Sequence, residues 1–258
     1  MTLLAVAVAG RGLVDPDEPV FAAGDEALLR GGAAFETLRV YGGRPFLLDR
    51  HLERLASSAV ALALPSPAGA EALAALVVAT APPDHVLRLY RTDEALVATA
   101  AALPDGLEEL RVRGLTLASV ATGTSELLQG VKSTSYAEAF AARRSVDADD
   151  ALLVSGDVVR ECATANIWWT HDGVLHTPAA GPGVLAGVTR AFVLELEPSA
   201  REGTFRIADL LAADEAFTTS SIREVMPVSA VDGRAIGDGR PGPAATRLQA
   251  ALRLRSSQ

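Results

Sequence analysis

Two β-like runs, Phe35–Tyr41 and Arg44–Leu48, are separated by nothing but Gly42 and Gly43. A two-residue link of this kind joins strands as an antiparallel hairpin, because both linking residues must reach positive φ and glycine does so without a steric penalty. The same punctuation returns at Gly156-Asp157 and at Asp172-Gly173, which leads into Val174–Thr177. Helical stretches at Thr189–Leu196, Ile207–Ala213 and Pro243–Arg253 and a strand at Glu215–Thr219 follow. Alternating strands and helices would suit a doubly wound parallel sheet, but recurrent hairpin turns require antiparallel neighbours. A mixed or barrel-like sheet in an α+β protein is therefore expected.

Before that region the chain reads as a strand over Leu3–Ala9, then the first hairpin, then a helix over Arg50–Leu64 with Asp49 in the N-cap position and Pro65 as its stop. His51 and Arg54 lie three apart and so share a face of that helix. The next helix, Ala68–Thr80, is nearly all Ala, Leu and Val, which places it in a core, and Pro82-Pro83 closes it. Val86–Thr92, Leu96–Ala101 and Leu110–Val120 read as strands, and Gly31-Gly32 marks a close backbone approach. Thr122, Gly123, Thr124 and Ser125 have the chemistry of a linker. The expected organisation is a small N-terminal α+β domain over 1–120, a linker over 121–128 and a larger C-terminal domain over 129–258. The latter opens with a helix at Tyr136–Ser145, a strand at Ala151–Val154 and one extended run at Val158–His171.

A net charge of −9 with basic residues scattered singly or in pairs excludes a nucleic-acid footprint. The single cysteine, Cys162, excludes a disulfide framework, and His51, His85, His171 and His176 are too dispersed for metal-ligand spacing, so no metal is expected. Met1–Gly10 is apolar but short and lacks a preceding basic region, so it reads as a first strand and not as a signal peptide. No apolar run approaches the ~18 residues that span a bilayer. A cytoplasmic protein with no membrane partner is the expectation.

Lys132 is the only lysine among the 23 Lys and Arg residues. A surface cation can be either residue, whereas an amine that must lose a proton and attack a carbonyl cannot be an arginine. Lys132 is thus the candidate Schiff-base former. The common partner of such a lysine is pyridoxal phosphate, which asks for a carboxylate or similar group at its ring nitrogen and a cradle for its phosphate. Gly183–Arg190 runs from a glycine-rich turn into a helix, where free amides and the helix dipole favour phosphate and the Thr189 hydroxyl adds a donor. Thr218-Thr219-Ser220-Ser221 is a second hydroxyl cluster. Glu161 is the candidate carboxylate. From sequence it faces solvent at a strand edge, pairs with Arg160, or meets a pyridinium.

These residues together resemble the class IV aminotransferases, the fold type IV pyridoxal-phosphate enzymes that include branched-chain and D-amino-acid aminotransferases and 4-amino-4-deoxychorismate lyase. The resemblance rests on Gly32–Thr37 with its hairpin, His51–Leu55 and Ser57-Ser58-Ala59, Val131-Lys132-Ser133, Glu161–Asn166, Asp172–Pro178, Leu185–Arg190, and Ala213–Glu215 through Ser221 to Val228. It implies two domains with the cofactor between them, and a homodimer. It implies that Lys132 is joined to pyridoxal phosphate and moves the substrate proton, and that Glu161 holds the ring nitrogen protonated. Arg54, Val188, Thr189 and Ser221 would bind the phosphate, and Tyr136 would reach the ring hydroxyl. The run Glu161–Trp169, with Phe35 and Thr37, is closer to the lyase than to the transaminases. Phe35, Arg91 and Asp93 replace the tyrosine and Arg-x-His clamp of D-amino-acid aminotransferases. The lyase is therefore the first expectation, with Thr37 assisting departure of the enolpyruvyl group and Arg88 or Arg91 holding substrate carboxylates. An aminotransferase acting on branched-chain or D-amino acids is the alternative, favoured by Glu36 and by Val225–Val228.

Overall fold

The computed structural model describes residues 2–257. The chain divides into two compact units, one of Met1–Asp105 with Val131–Tyr136 and Ser256–Gln258, the other of Gly106–Gly130 with Ala137–Arg255.

In the first unit the elements run β1 (Leu3–Val8), β2 (Gly12–Val14), α1 (Glu26–Leu29), β3 (Ala34–Tyr41), β4 (Arg44–Pro45), α2 (Leu48–Ala61), α3 (Ala70–Thr80), β5 (His85–Arg91) and β6 (Leu96–Ala101). Six strands form one sheet in the order β2-β1-β6-β5-β3-β4, every pair antiparallel. The glycine link behaves as its chemistry dictates: Gly42 and Gly43 have φ of 53° and 79°, and Tyr41 pairs directly with Arg44. Burial alternates along β3, so Ala34, Leu38 and Val40 face a core that includes Leu55 and Ala59 of α2 and Leu73, Ala74 and Val77 of α3. Small side chains on α3 let its backbone lie close to the sheet. Its other face stays at the surface, so the core placement read from its composition holds for one stripe of the helix. On the opposite face of the sheet Val6, Val8 and Val97 pack with Phe21 and Tyr90.

The second unit runs α4 (Leu107–Arg113), β7 (Leu115–Ala121), α5 (Ala137–Ser145), β8 (Asp150–Ser155), β9 (Val158–Cys162), β10 (Asn166–His171), β11 (Val174–Pro178), α6 (Val188–Leu196), β12 (Arg201–Gly203), α7 (Ile207–Leu211), β13 (Glu215–Ser220), β14 (Glu224–Val231), β15 (Arg234–Ala235) and α8 (Pro243–Ser256). Its sheet follows the path β12-β11-β10-β13-β14-β7-β8-β9, with β15 paired to β14. Three of the pairings, β11 with β12, β14 with β7 and β7 with β8, are parallel, so the sheet is mixed as expected. β9 ends the path and β10 is third from its other end, yet only three residues connect them. The sheet must curl back on itself for that link to close. Its interior is filled by Leu115, Leu117, Leu152, Ile167, Trp169, Met226 and Val228.

Three expectations are corrected. The run Leu110–Val120 is not one strand: Leu107–Arg113 is helical, and Gly114, at φ 76° and pressed against Ser229, turns the chain into β7. The helix after the hairpin starts earlier than Asp49, because Leu47 takes a left-handed φ of 55° and begins the turn itself, leaving Asp49 in the first turn. Val158–His171 is folded on itself by a tight turn in which Cys162 and Ala165 exchange backbone hydrogen bonds, N to O at 2.7 and 3.4 Å.

The first core leaves no room for relaxation around Leu38, which is wholly buried between sheet and helices. Leu38→Ala is expected to lower unfolding free energy by about 2–5 kcal/mol, read from urea titration.

Candidate active site

In the first unit, Lys132 sits in a segment without regular secondary structure that is bonded along the start of β3. Phe35 N donates to Lys132 O at 3.1 Å, Thr134 N to Ala33 O at 2.8 Å, and Ala33 N to Thr134 Oγ1 at 3.2 Å. Lys132 N in turn donates to Oγ of Ser58 on α2 at 3.1 Å. Gly31 explains its own presence here: it has φ +73°, and a Cβ on it would lie 3.1 Å from Ser135 Cα. The Lys132 amine lies 3.2 Å from Tyr136 Oη and 4.5 Å from the centre of the Phe35 ring, and Tyr136 meets Phe35 edge-on at 5.5 Å. Lysine, tyrosine and phenylalanine expected at the site are thus brought together.

Strand alternation sorts the other candidates. Thr37 pairs with Arg88 and Phe35 with Tyr90, and residues directly opposite in an antiparallel pair project to the same face. Arg88 and Thr37 therefore share the face of Phe35, over whose ring the Lys132 amine lies. Tyr90 stacks on Phe35 at 6.2 Å, and burial raises its hydroxyl pKa against the lowering influence of Arg88. Arg91 pairs with Ala34 on the opposite face, where its Nε donates to Pro65 O at 2.8 Å. Asp93 accepts from Ala27 N at 3.0 Å and closes the start of α1 together with Asp25.

That opposite face also holds a buried charge cluster. Glu36 is completely inaccessible to solvent. Its two carboxylate oxygens each accept one bond from Arg54, from Nε and Nη2 at 2.7 Å, and Oε2 also takes His51 Nδ1 at 2.7 Å. Burial pushes the carboxyl pKa up, but hydrogen bonds and charge from Arg54 and His51 win, holding it at about 2 against its ordinary 4.5. Burial depresses the His51 pKa in spite of Glu36, so the ring is neutral at neutral pH. A carboxylate has only acceptors to offer, so Nδ1 carries the imidazole proton. The shared helix face of His51 and Arg54 was visible in the sequence. Their common partner was not.

In the second unit the turn between β9 and β10 sets Glu161 beside Asn166. Glu161 Oε2 accepts from Asn166 Nδ2 and from Leu185 N, both at 2.9 Å, and Asn166 Nδ2 also donates to Leu185 O at 2.9 Å. Glu161 therefore has a defined orientation, which neither a solvent-facing glutamate nor a pair with Arg160 would need. Leu185 leads through Gly187, the N-cap residue, into α6. A Cβ at Gly187 would overlap Asn166 Oδ1, so glycine is required for the loop to lie against that amide. No side chain caps α6, and the amides of its first turn are available to an anion. Val188 and Thr189 stand in that turn, both buried. Ser221 follows β13 in a turn anchored by Arg223, which donates through Nη1 to the buried Asp150 at 2.6 Å. Within the second unit, an uncapped helix start behind a glycine that tolerates no Cβ and an oriented carboxylate fit a phosphate and a ring nitrogen, and within the first unit the lysine amine fits an aldehyde. Asn166, Ser58 and Asp150 act behind the expected residues. Ser58 and Asn166 lie in runs that carried the resemblance but had no role assigned to them, and Asp150 lies in none; each works through contacts distant in sequence or across a turn.

The model of the family described as amino-transferase class IV matches residues 33–231. The chain is 27% identical to D-alanine aminotransferase of Listeria monocytogenes serotype 4b (strain F2365), over 92% of this chain and 91% of that protein. It is 28% identical to aminodeoxychorismate lyase of Bacillus subtilis (strain 168), over 87% and 86% of the two chains. Among solved structures, a fold IV transaminase from Curtobacterium pusillum superposes with a TM-score of 0.84 at 27% identity, covering 98% of this chain and 99% of that one. The fold is thus the type IV fold that the sequence motifs implied.

The buried cluster ties stability to acidity. Because the pKa of Glu36 is lowered by folding, from 4.5 to about 2, its stabilising contribution is complete above 4.5 and is lost as pH falls towards 2. The His51 pKa is lowered as well, so protonation below its ordinary 6.5 acts in the same direction. Glu36→Gln is expected to lower stability at neutral pH by about 3 kcal/mol and to flatten the stability curve below pH 4.5, measured by urea unfolding at a series of pH values.

Proposed function

Because the chain belongs to the class IV aminotransferase family, we propose that it is a pyridoxal-phosphate enzyme and that it removes pyruvate from 4-amino-4-deoxychorismate to give 4-aminobenzoate. Bound pyridoxal phosphate supplies an electron sink for charge developing on the substrate carbon. The chain supplies the rest. Lys132 is the amine that holds the cofactor and moves the proton, with Tyr136 Oη 3.2 Å from its nitrogen. Glu161 faces the ring nitrogen as a fixed carboxylate. Arg54, the first turn of α6 with Val188 and Thr189, and the Ser221 hydroxyl bind phosphate, and the active form is a homodimer.

In the lyase reaction Lys132 takes the proton from the amine-bearing ring carbon, and the bond from the neighbouring ring carbon to the enolpyruvyl oxygen breaks. The Thr37 hydroxyl protonates the departing oxygen. The enol leaves as pyruvate and the ring becomes aromatic, which drives the step. Arg88 holds a substrate carboxylate.

The observation that carries this reading is the division of β5. Arg88 shares a face with Phe35 and Thr37, whereas Arg91 and Asp93 are engaged by Pro65 O and Ala27 N. A carboxylate clamp like that of D-amino-acid aminotransferases would need those two groups. The second reading, an aminotransferase, is favoured by the 27% identity to D-alanine aminotransferase along nearly the whole chain.

Purified protein given aminodeoxychorismate is expected to release 4-aminobenzoate, followed by its fluorescence, together with pyruvate. Amino-group exchange between amino acids and 2-oxo acids in the absence of that release would overturn the lyase reading and leave the aminotransferase. Lys132→Ala is expected to abolish both turnover and the cofactor's protein-bound absorbance, since no second lysine exists.

A further inference from the structure

We infer that Glu36 and His51 are positioning residues that set the plane of the Arg54 guanidinium for the phosphate of the cofactor, an assignment that rests on the pyridoxal-phosphate reading above. Arg54 meets Glu36 through Nε and Nη2, one bond to each carboxylate oxygen, both 2.7 Å. Two parallel bonds allow a planar guanidinium neither to tilt nor to rotate about its long axis. The direction in which its remaining donors project is fixed before any ligand arrives.

Glu36 is itself held. Its Oε2 takes a third bond from His51 Nδ1 at 2.7 Å, and the carboxylate and imidazole are both essentially inaccessible, at 0% and 2%. A fully buried carboxylate is a poor choice if stability is the only aim, because an apolar group of similar volume serves as well or better among Leu38, Leu55 and Ala59. Fixed geometry is what the cluster adds. Arginine recognises phosphate in a planar, two-bond mode, so ligand affinity depends on that plane, and a side chain ordered in advance loses less entropy on binding. The neutral His51 supports the carboxylate without competing for its charge.

The test compares pyridoxal phosphate with pyridoxal, which lacks the phosphate, in full-length protein freed of cofactor, reading the absorbance of the Lys132-bound ring. Glu36→Gln is expected to weaken pyridoxal phosphate by about tenfold or more while pyridoxal changes by less than about twofold. His51→Gln, a milder change, shifts the same ratio in the same direction. Arg54→Gln removes the preference for the phosphorylated form, and Glu36→Gln added to it causes no further phosphate-specific loss. Equal weakening of both ligands, no weakening of either, or a phosphate-specific loss that persists without Arg54 overturns the assignment and leaves the cluster a part of the scaffold. A wild-type chain that binds neither ligand overturns the cofactor reading itself, a result separable from all of these.

Discussion

Four hydrogen bonds hold the segment of the single lysine in place, one to β3, one to α2 and two to Ala33 just before the strand, all in a unit to which the flanking Gly130 and Ala137 do not belong. Val131–Tyr136 has no regular secondary structure of its own. Its order comes from Ala33, Phe35 and Ser58, which bind the backbone on either side of the Lys132 side chain. A lysine has four rotatable bonds and about 1.5–2 kcal/mol of rotamer entropy to lose. A fixed backbone, the Phe35 ring below the amine and Tyr136 Oη beside it restrict where Nζ can go. Gly31 is part of the same arrangement, since any side chain there would push Ser135 away.

Glu36 shows the opposite solution to placing a charge. Lys132 lies half-exposed with its amine against aromatic rings, while Glu36 one residue after Phe35 points the other way, into the core beneath α2. An unpaired carboxylate there would be expelled or protonated. Three donors from one helix prevent that, and the low pKa measures how completely they do so. The same side-chain alternation that lets Phe35 reach the lysine therefore forces Glu36 to find partners on α2, which binds the helix carrying Ser58 and Arg54 to the strand carrying Phe35 and Thr37.

Much of this was readable from sequence where a single residue type has a local reason. Gly42-Gly43 announced its hairpin, Gly31 its close contact, and Lys132 drew notice by being the one lysine. Leu110–Arg113, the second half of the helix that begins at Leu107, reads as the start of a strand because a seven-residue element shows barely two turns of periodicity. Leu47 concealed the start of α2, since nothing in a leucine advertises a left-handed φ. Glu161 stood out in the sequence, but its orientation did not. The partners that fix it, Asn166 and Leu185, come to it through a turn inside a run that looked continuously extended and through a loop 24 residues on.

The two arginines of β5 show how far a period of two can decide chemistry. Arg88 and Arg91 lie three positions apart, an odd offset, so in an unbroken strand they must project from opposite faces. The register is pinned by seven successive partners between β3 and β5, from Ala34 with Arg91 to Val40 with His85, and no bulge interrupts it. A slip by one residue would exchange the two faces and carry Leu38 and Leu87 out of the core along with them. Hydrophobic burial thus holds Arg88 on the side of Phe35 and Thr37. It also leaves Arg91 to satisfy the Pro65 carbonyl in the loop after α2, so the choice of cation on the lysine's face is made by leucines that never approach it.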